Sequence, residues 1–187
     1  MSKKKKKEYK GRYSYLNDFK LNEANEYQYY GNVFRCISKE EERNGILKSV
    51  LIFLMVDAAM ILLAGCVPFA GMVGAVYVFI PFVLEIVFLG LLIYAYSLIR
   101  PQTDLREYVY NKSVKRVQFY GGALMGNHIF AFVTALIYIM IKGADPLLHS
   151  ALYLLSKVVS FFCTKEAVQR LLRLEYKQIQ FKEPAGE

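Results

Sequence analysis

The sequence predicts an all-α, polytopic membrane protein whose four transmembrane helices form two hairpins with both termini on one side. The clearest sign is residues 74–99, an apolar stretch with a single charged residue, Glu85. At about 1.5 Å per residue, a helix of this length measures roughly 39 Å, which exceeds the roughly 30 Å hydrocarbon core of a bilayer. A lipid core requires such helices because every backbone polar group must be bonded within its own segment.

Two further observations support this class: charged and apolar residues are segregated along the chain, and the charge is mostly basic. The chain has 187 residues, of which 55% are hydrophobic, and a formal net charge of +8. A basic, tyrosine-rich tail (residues 1–45) precedes a four-helix bundle (46–164). Residues 165–187 form an amphipathic tail, which we expect to lie along the membrane or a partner.

Four apolar segments define the predicted spans, and two short turns and one polar loop separate them. Before the first span, Ser38 and Glu41 have the Ser-x-x-Glu spacing of a capping box, so we expect a helix to start near Lys39. Pro81 can kink the second span because proline lacks a backbone donor. The spans cover about residues 46–66, 74–99, 119–141 and 147–164.

The positions of lysine and arginine predict the orientation. Twelve lie in residues 1–48, five in 100–118 and five in 165–187, whereas Lys142 is the single one in the two short turns. Because loops rich in Lys and Arg stay in the cytoplasm, both termini and the middle loop are predicted to be cytoplasmic. The expected localisation is multi-pass in a membrane, with the bacterial cytoplasmic membrane as the predicted one.

The N-terminal tail predicts contact with anionic lipids. Residues 3–7 are five consecutive lysines, and tyrosines interleave with the charges that follow. Lysines near an anionic leaflet contribute about 1 kcal/mol each, and tyrosines favour the headgroup zone. Alternatively, the tail is solvated and its lysines only fix the topology. No nucleic-acid-binding motif accompanies the charge, so nucleic acid is not an expected partner.

Each predicted span carries one ionisable residue near its centre, and these four are the candidate functional residues. They are Asp57, Glu85, His128 and Lys157. A charged side chain at this depth costs about 2.5–3.5 kcal/mol on insertion scales, so we expect all four to face the bundle interior and find partners. Because the two acids fall on the first hairpin and the two bases on the second, pairing between them would hold the hairpins together.

Helical spacing extends this inward face. In the second span Tyr77 aligns with Glu85, and in the fourth span a polar stripe recurs every three or four residues. Gly122 and Gly126 form a small-xxx-small motif that allows close helix packing. Alternatively, Lys157 snorkels to the headgroups and His128 is a neutral hydrogen-bonding group. The polar stripe consists of Ser150, Tyr153, Lys157, Ser160 and Thr164.

The sequence contains no catalytic motif, so the protein is not predicted to be an enzyme. Asp104, Arg106 and Glu107 in the middle loop are the candidates for a lipid-directed enzyme, but their spacing matches no catalytic template. Two histidines and three cysteines without a CxxC pair give no metal-ligand spacing, and no cofactor is expected.

The predicted function is that of an integral-membrane accessory or scaffold subunit whose cytoplasmic tails dock a partner or the membrane surface. This prediction rests on the two short turns, which leave almost no protein on the side of the membrane opposite the termini. The alternative is a small, homo-oligomeric transporter or channel component that passes protons or a solute along the four midplane residues.

Overall fold

The structure is a computed structural model that describes residues 16, 18–21, 27–143 and 146–179. Within these residues the chain is mostly helical, and four helices are long and apolar enough to span a membrane. The lysine run at residues 3–7, which is predicted to contact anionic lipids, lies outside the described residues. The elements in chain order are β1 (Phe19–Leu21), β2 (Tyr27–Tyr29), β3 (Val33–Cys36), α1 (Glu40–Cys66), α2 (Ala70–Gly74), α3 (Val76–Ile99), β4 (Asp104–Arg106), α4 (Glu107–Lys112), α5 (Val114–Lys142), α6 (Leu147–Leu172) and β5 (Tyr176–Ile179).

Helices α1, α5 and α6 extend beyond the predicted spans, whereas α3 begins at Val76, two residues inside its predicted span. Helix α1 begins at Glu40 with three acidic residues in its first turn, which favour the positive end of the helix dipole. The expected capping box at Ser38 is wrong, because the cap position is Lys39 and no side chain caps the helix. Helix α6 continues to Leu172, so the first third of the predicted C-terminal tail belongs to the bundle.

The bundle packs mainly through three helix pairs: α1 on α6, α3 on α5, and α5 on α6. Helix α1 therefore has its main contact with α6 and a much smaller one with α3, its neighbour in the chain. Large apolar side chains also cover the outside of the bundle; Val87, Phe130 and Leu155 are each at least half exposed. This outward apolar surface is the one that lipid tails would cover.

A small antiparallel sheet departs from the all-α prediction. Strand β3 lies in the middle and pairs with β4 on one side and β5 on the other. Its three strands come from segments that the sequence predicted to be the two tails and the middle loop. Each strand has only three or four residues, which is too short for a periodic pattern to show. A separate two-stranded sheet pairs β1 with β2.

The sheet marks one end of the bundle, which we call the terminal end; the turn end carries the α1–α3 connection and Gly143. Arg43 joins the terminal ends of two helices. Its Nη2 donates to the carbonyl oxygens of Ile99 at 2.9 Å, Arg100 at 3.0 Å and Gln102 at 2.8 Å. Since the last carbonyls of a helix lack intrahelical donors, Arg43 satisfies the end of α3 from the first turn of α1.

Candidate functional site: an ionic cluster inside the bundle

The four ionisable residues of the spans meet in the interior, together with Thr164. We call these five residues the ionic cluster: Asp57 from α1, Glu85 from α3, His128 from α5, and Lys157 and Thr164 from α6. None of the five exposes more than 1% of its surface. His128 lies midway along α5, about 21 Å from either end at 1.5 Å per residue. The cluster therefore occupies the middle of the bundle and touches all four long helices.

Glu85 is the centre of the cluster because its carboxylate meets both basic residues. Lys157 Nζ donates to one oxygen at 2.5 Å, and His128 Nδ1 lies 2.9 Å from the other. The lysine does not snorkel toward headgroups, since its side chain is 1% exposed. Instead its ammonium lies 4.7 Å from the ring centre of Tyr153 and 5.4 Å from that of Phe82. These aromatic faces add to the attraction that holds the cation inside.

The far side of His128 connects the cluster to α1. Thr164 Oγ1 donates to Asp57 Oδ2 at 2.7 Å, and His128 Nε2 lies 3.3 Å from the same hydroxyl oxygen. The second oxygen of Asp57 is 3.6 Å from His128 Nε2. Because the hydroxyl proton is directed at Asp57, the imidazole meets Thr164 as a donor. A contact chain thus runs Lys157–Glu85–His128–Asp57 across the bundle.

This pattern is satisfied when both carboxylates are ionised and both basic residues carry a proton. His128 then donates from both ring nitrogens, and the two negative charges are balanced by two positive ones. Such balance matters because breaking a buried pair by removing one partner leaves an uncompensated charge and costs about 3–5 kcal/mol. The arrangement therefore ties the four helices into one relative position.

The predicted polar stripe of α6 faces the interior. Ser150, Tyr153 and Ser160 are at most 2% exposed. Their three hydroxyl oxygens have no hydrogen-bond partner among the residues that the structure describes. A buried polar group left in this condition costs about 1–3 kcal/mol, so the interior of the bundle favours water or another polar partner here.

Three predicted supporting positions, Tyr77, Gly122 and Gly126, are corrected. Tyr77 is 43% exposed and does not line the cluster. It stands eight residues before Glu85, and at about 100° per residue the two side chains point about 80° apart. Gly122 and Gly126 have open space where a Cβ would be, so they are not helix contacts. The close approach occurs one residue earlier, where a Cβ on Gly121 would overlap the Val168 side chain.

Asn127 is a functional-site neighbour that sequence reasoning missed. Its amide donates to the Pro81 carbonyl at 2.7 Å and is 7% exposed. The bond holds α3 to α5 one turn from Glu85, next to the proline that interrupts the helix ladder. The signal available in the sequence was an amide in an apolar span, directly before His128.

A groove of about 170 Å³ runs between α5 and α6 beside the cluster. Its lining is almost wholly apolar, because the polar atoms of His128 and Lys157 face Glu85; the other lining residues are Ile129, Phe132, Val158 and Phe161. The groove is a shallow indentation in the apolar surface and no route through the bundle.

The middle-loop residues considered for an enzyme have partners in neighbouring strands and loops. Arg35 makes a two-pronged contact with Asp104 at 2.8 and 2.9 Å, and this hydrogen bonding holds the pKa of the Asp104 carboxyl below its usual value. Glu107 accepts a bond of 2.8 Å from Asn32. The Arg106 guanidinium lies over aromatic rings of the β1–β2 pair. Each residue thus connects strands or loops.

The described residues contain no group of three or more His, Cys, Asp or Glu side chains placed to hold a metal ion. Comparison with known protein families, with curated proteins and with solved structures finds no match for this chain.

Proposed function

We propose that this protein is an integral-membrane accessory or scaffold subunit that presents a docking surface at its terminal end. The observation that carries the proposal is the three-stranded sheet. It joins the segment before α1, the segment after α3 and the segment after α6 into one layer. A sheet that holds three separate segments in place gives a partner a preorganised surface, which three flexible tails would not.

The sheet is a rigid extension of the bundle. Phe34 of β3 stacks on Tyr110 with ring centres 3.9 Å apart, and Tyr110 in turn packs edge-on against Tyr176 of β5. Arg43 then fastens the start of α1 to the end of α3. A surface built in this way loses little conformational freedom when a partner binds, which favours affinity.

In this role the four helices cross the membrane as two hairpins with both termini in the cytoplasm. Exposed basic residues support that orientation, since each long helix carries one near its terminal end. Lysine and arginine near an anionic leaflet contribute about 1 kcal/mol each. The lysines of residues 3–7 would add to this attraction. The exposed basic residues are Lys48, Arg100, Lys115 and Lys165.

The ionic cluster supports the docking surface indirectly, because it fixes the arrangement of the helices that carry the sheet. Helices in lipid gain no hydrophobic driving force from packing on each other, so polar contacts between them have a larger part in fixing the arrangement. The chain of contacts from Lys157 to Asp57 crosses all four helices and gives one geometry in which every charge has a partner.

Purification from native membranes in mild detergent tests the docking proposal. A co-purifying protein that appears as a discrete larger band on a native gel is expected. Phe34→Ala, which removes the stacking of the terminal sheet, should release it, whereas Lys142→Ala at the turn end should not. A wild-type chain that purifies as a lone monomer would count against the proposal.

A small transporter or channel component is the second candidate, and the contact chain of titratable groups favours it. Glu85, His128 and Asp57 follow one another in contact, and chains of Asp, Glu and His side chains relay protons in membrane proteins. Four helices enclose no wide pathway, so this candidate requires a homo-oligomer. Flux of protons into proteoliposomes should fall in Glu85→Gln and Lys157→Met and stay normal in Glu42→Gln, an exposed control. Equal flux in all variants would exclude it.

A further inference from the structure

The three-stranded sheet at the terminal end has two outer strands, β4 and β5, on either side of β3. On the β4 side the β1–β2 pair contacts the sheet, since the Arg106 guanidinium lies 5.5 Å from the ring centre of Phe19 and 5.3 Å from that of Tyr29. Strand β5 packs closely on β3 and has no comparable contact with any other element of the described chain. Among the described residues, β5 therefore has an open outer edge.

The register shows which backbone groups this edge presents. The Ile37 N–H donates to the Glu175 carbonyl at 3.0 Å, so residue 175 bonds to the β3 side. Residues of an antiparallel strand alternate between bonding to one neighbour and to the other. Lys177 therefore also bonds to β3, whereas Tyr176 and Gln178 direct their N–H and C=O groups to the open edge. Each of these two residues can exchange a pair of hydrogen bonds with an added strand.

The outer face of the sheet carries an incomplete row of charges across its strands. Asp104 of β4 lies opposite Arg35 of β3, and Arg35 lies opposite Lys177 of β5. Asp104 matches the Arg35 charge at 2.8 Å. Lys177 is exposed and forms no ion pair within the described residues, although Glu175 stands two positions earlier. Because opposite charges stabilise facing positions of a sheet, the place beyond Lys177 favours an acidic side chain.

A second copy of the chain matches this edge poorly. If two β5 strands pair antiparallel with both outward residues bonded, Tyr176 meets Gln178 of the second copy and Lys177 meets Lys177 of the second copy. Like charges directly opposite each other are destabilising, and lysine on an edge strand commonly prevents such self-pairing. The lysine run of residues 3–7 has the same sign as Lys177 and is disfavoured for the same reason. The edge therefore suits an acidic strand from a different protein.

We infer that the partner docks by adding an extended segment antiparallel to β5 as a fourth strand of the sheet, with an acidic side chain opposite Lys177. The inference rests on the proposed docking function and specifies the chemistry of the partner. Addition of a strand to an exposed sheet edge is a recurrent mode of peptide recognition, in which main-chain bonds give affinity and side chains give specificity. Here Tyr176 and Gln178 supply the main-chain bonds, and Lys177 selects the acid.

A short synthetic peptide tests the edge without the natural partner. The probe is Thr-Val-Thr-Glu-Thr-Val-Thr with blocked ends, since threonine and valine favour strands and the glutamate can face Lys177. Amide hydrogen exchange is measured residue by residue on the full chain in lipid nanodiscs. The Tyr176 and Gln178 amides should exchange quickly in the free protein and several-fold more slowly with excess peptide, while the Lys177 amide stays slow in both. No slowing by the peptide, or slow exchange of both edge amides without it, would overturn the inference.

A charge exchange tests the acidic preference. The control peptide has lysine in place of the glutamate and should not slow the edge amides of the wild type. It should slow them in Lys177→Glu, where the glutamate peptide should lose its effect. Equal slowing of the wild-type edge amides by the two peptides would contradict the role of Lys177.

Two variants of Gln178 connect the edge to the natural partner. Gln178→Pro removes an N–H that faces away from β3, a position where edge strands tolerate proline, whereas Gln178→Ala keeps the N–H and removes the side chain. In purification from native membranes, Gln178→Pro should lose the co-purifying protein and Gln178→Ala should retain it. Unchanged exchange of the Ile37 amide would show that the β3–β5 ladder is intact; if proline loosens it, the peptide experiment on the wild type decides.

The outcomes separate the edge from the docking function. A partner retained equally by Gln178→Pro with an intact ladder would overturn the edge inference and leave the docking function standing. A wild-type chain that purifies without any partner would overturn the docking function, and the inference with it.

Discussion

At the scale of single residues, Glu85 determines whether the interior of the bundle is charge-balanced. It receives Lys157 on one oxygen and His128 on the other, and all three side chains are excluded from solvent. Removing the carboxylate charge would leave two cations in a site that only one remaining acid faces. The free energy of unfolding should therefore respond strongly to this one side chain.

Glu85→Gln is expected to lower the free energy of unfolding by about 3–5 kcal/mol, because it leaves Lys157 without its counter-charge. Thermal unfolding in detergent, followed by circular dichroism, measures the loss. Glu42→Gln serves as the control, since Glu42 is exposed in the first turn of α1. Equal melting of the two variants would show that the cluster contributes nothing to stability. The double variant Glu85→Leu, Lys157→Met should recover most of the loss, as apolar replacement of a whole pair is often neutral.

At the scale of elements, the contact between α5 and α6 depends on a missing side chain. Gly121 is buried against Val168, while Gly122 faces away from the neighbouring helix. Alanine favours a helix over glycine by roughly 1 kcal/mol at either position. The two glycines therefore separate the effect of helix propensity from the effect of packing.

Gly121→Ala should destabilise the bundle, whereas Gly122→Ala should be neutral or slightly stabilising. The reason is steric, since the new methyl group at residue 121 would overlap a β-branched side chain that has little rotamer freedom. Unfolding temperatures of the two variants give the comparison directly. Adding Val168→Ala to Gly121→Ala should restore stability; no restoration would show that the overlap is not the cause.

The stability of the three-stranded sheet at the terminal end should depend on pH through Tyr176 of β5. Burial raises the pKa of this phenol to about 12, above the unfolded value of about 10. The folded state thus favours the neutral phenol, and this contribution is present below pH about 10 and lost as the pH rises through about 12. Tyrosinate absorbance should show a group that titrates near pH 12 and is missing in Tyr176→Phe. Loss of the sheet's signal at the same pH in both proteins would exclude Tyr176 as the cause.

At the scale of the whole molecule, the sheet and Arg43 hold three chain segments at one end of the bundle. Arg43 is 5% exposed and donates to three carbonyls at the end of α3. Hydrogen bonds that involve a charged donor contribute about 1.5–3 kcal/mol each, although not additively. Helices α1 and α3 make few direct contacts, and Arg43 is one of the residues that join them.

Arg43→Met should lower stability by about 2 kcal/mol or more, because it leaves carbonyls of α3 without a donor. Lys48→Met is the control, as Lys48 is exposed on the same helix. Amide hydrogen exchange offers a second readout: the end of α3 and strand β4 should exchange faster in Arg43→Met alone. Unchanged exchange there would contradict the bridging role.

The proposed orientation makes a separate prediction about the membrane. Thr103→Cys and Lys177→Cys should react with an impermeant thiol reagent only after cells are opened, and Lys142→Cys should react in intact cells. The three native cysteines are first replaced by serine or alanine. Labelling of Thr103→Cys in intact cells would reverse the orientation, and labelling of Thr103→Cys and Lys177→Cys from opposite sides would contradict the shared terminal end.

The sequence alone was sufficient for the four long helices and for the residues that form the cluster. A single segment can satisfy its own backbone in lipid only as a helix, so a long apolar stretch clearly predicts one. Ionisable residues within such stretches are few and costly. Asp57, Glu85, His128 and Lys157 could therefore be selected from their depth.

Only the tertiary structure decided which side chains touch. Whether Gly121 or Gly122 meets α6, and whether Tyr77 faces the interior, depends on helix rotation, which a spacing pattern leaves uncertain by a residue. The terminal sheet joins Val33–Cys36, Asp104–Arg106 and Tyr176–Ile179 across large distances in the sequence. Short strands gain their stability from partner strands rather than from their own residues, so none of the three could be predicted from its own segment of the sequence.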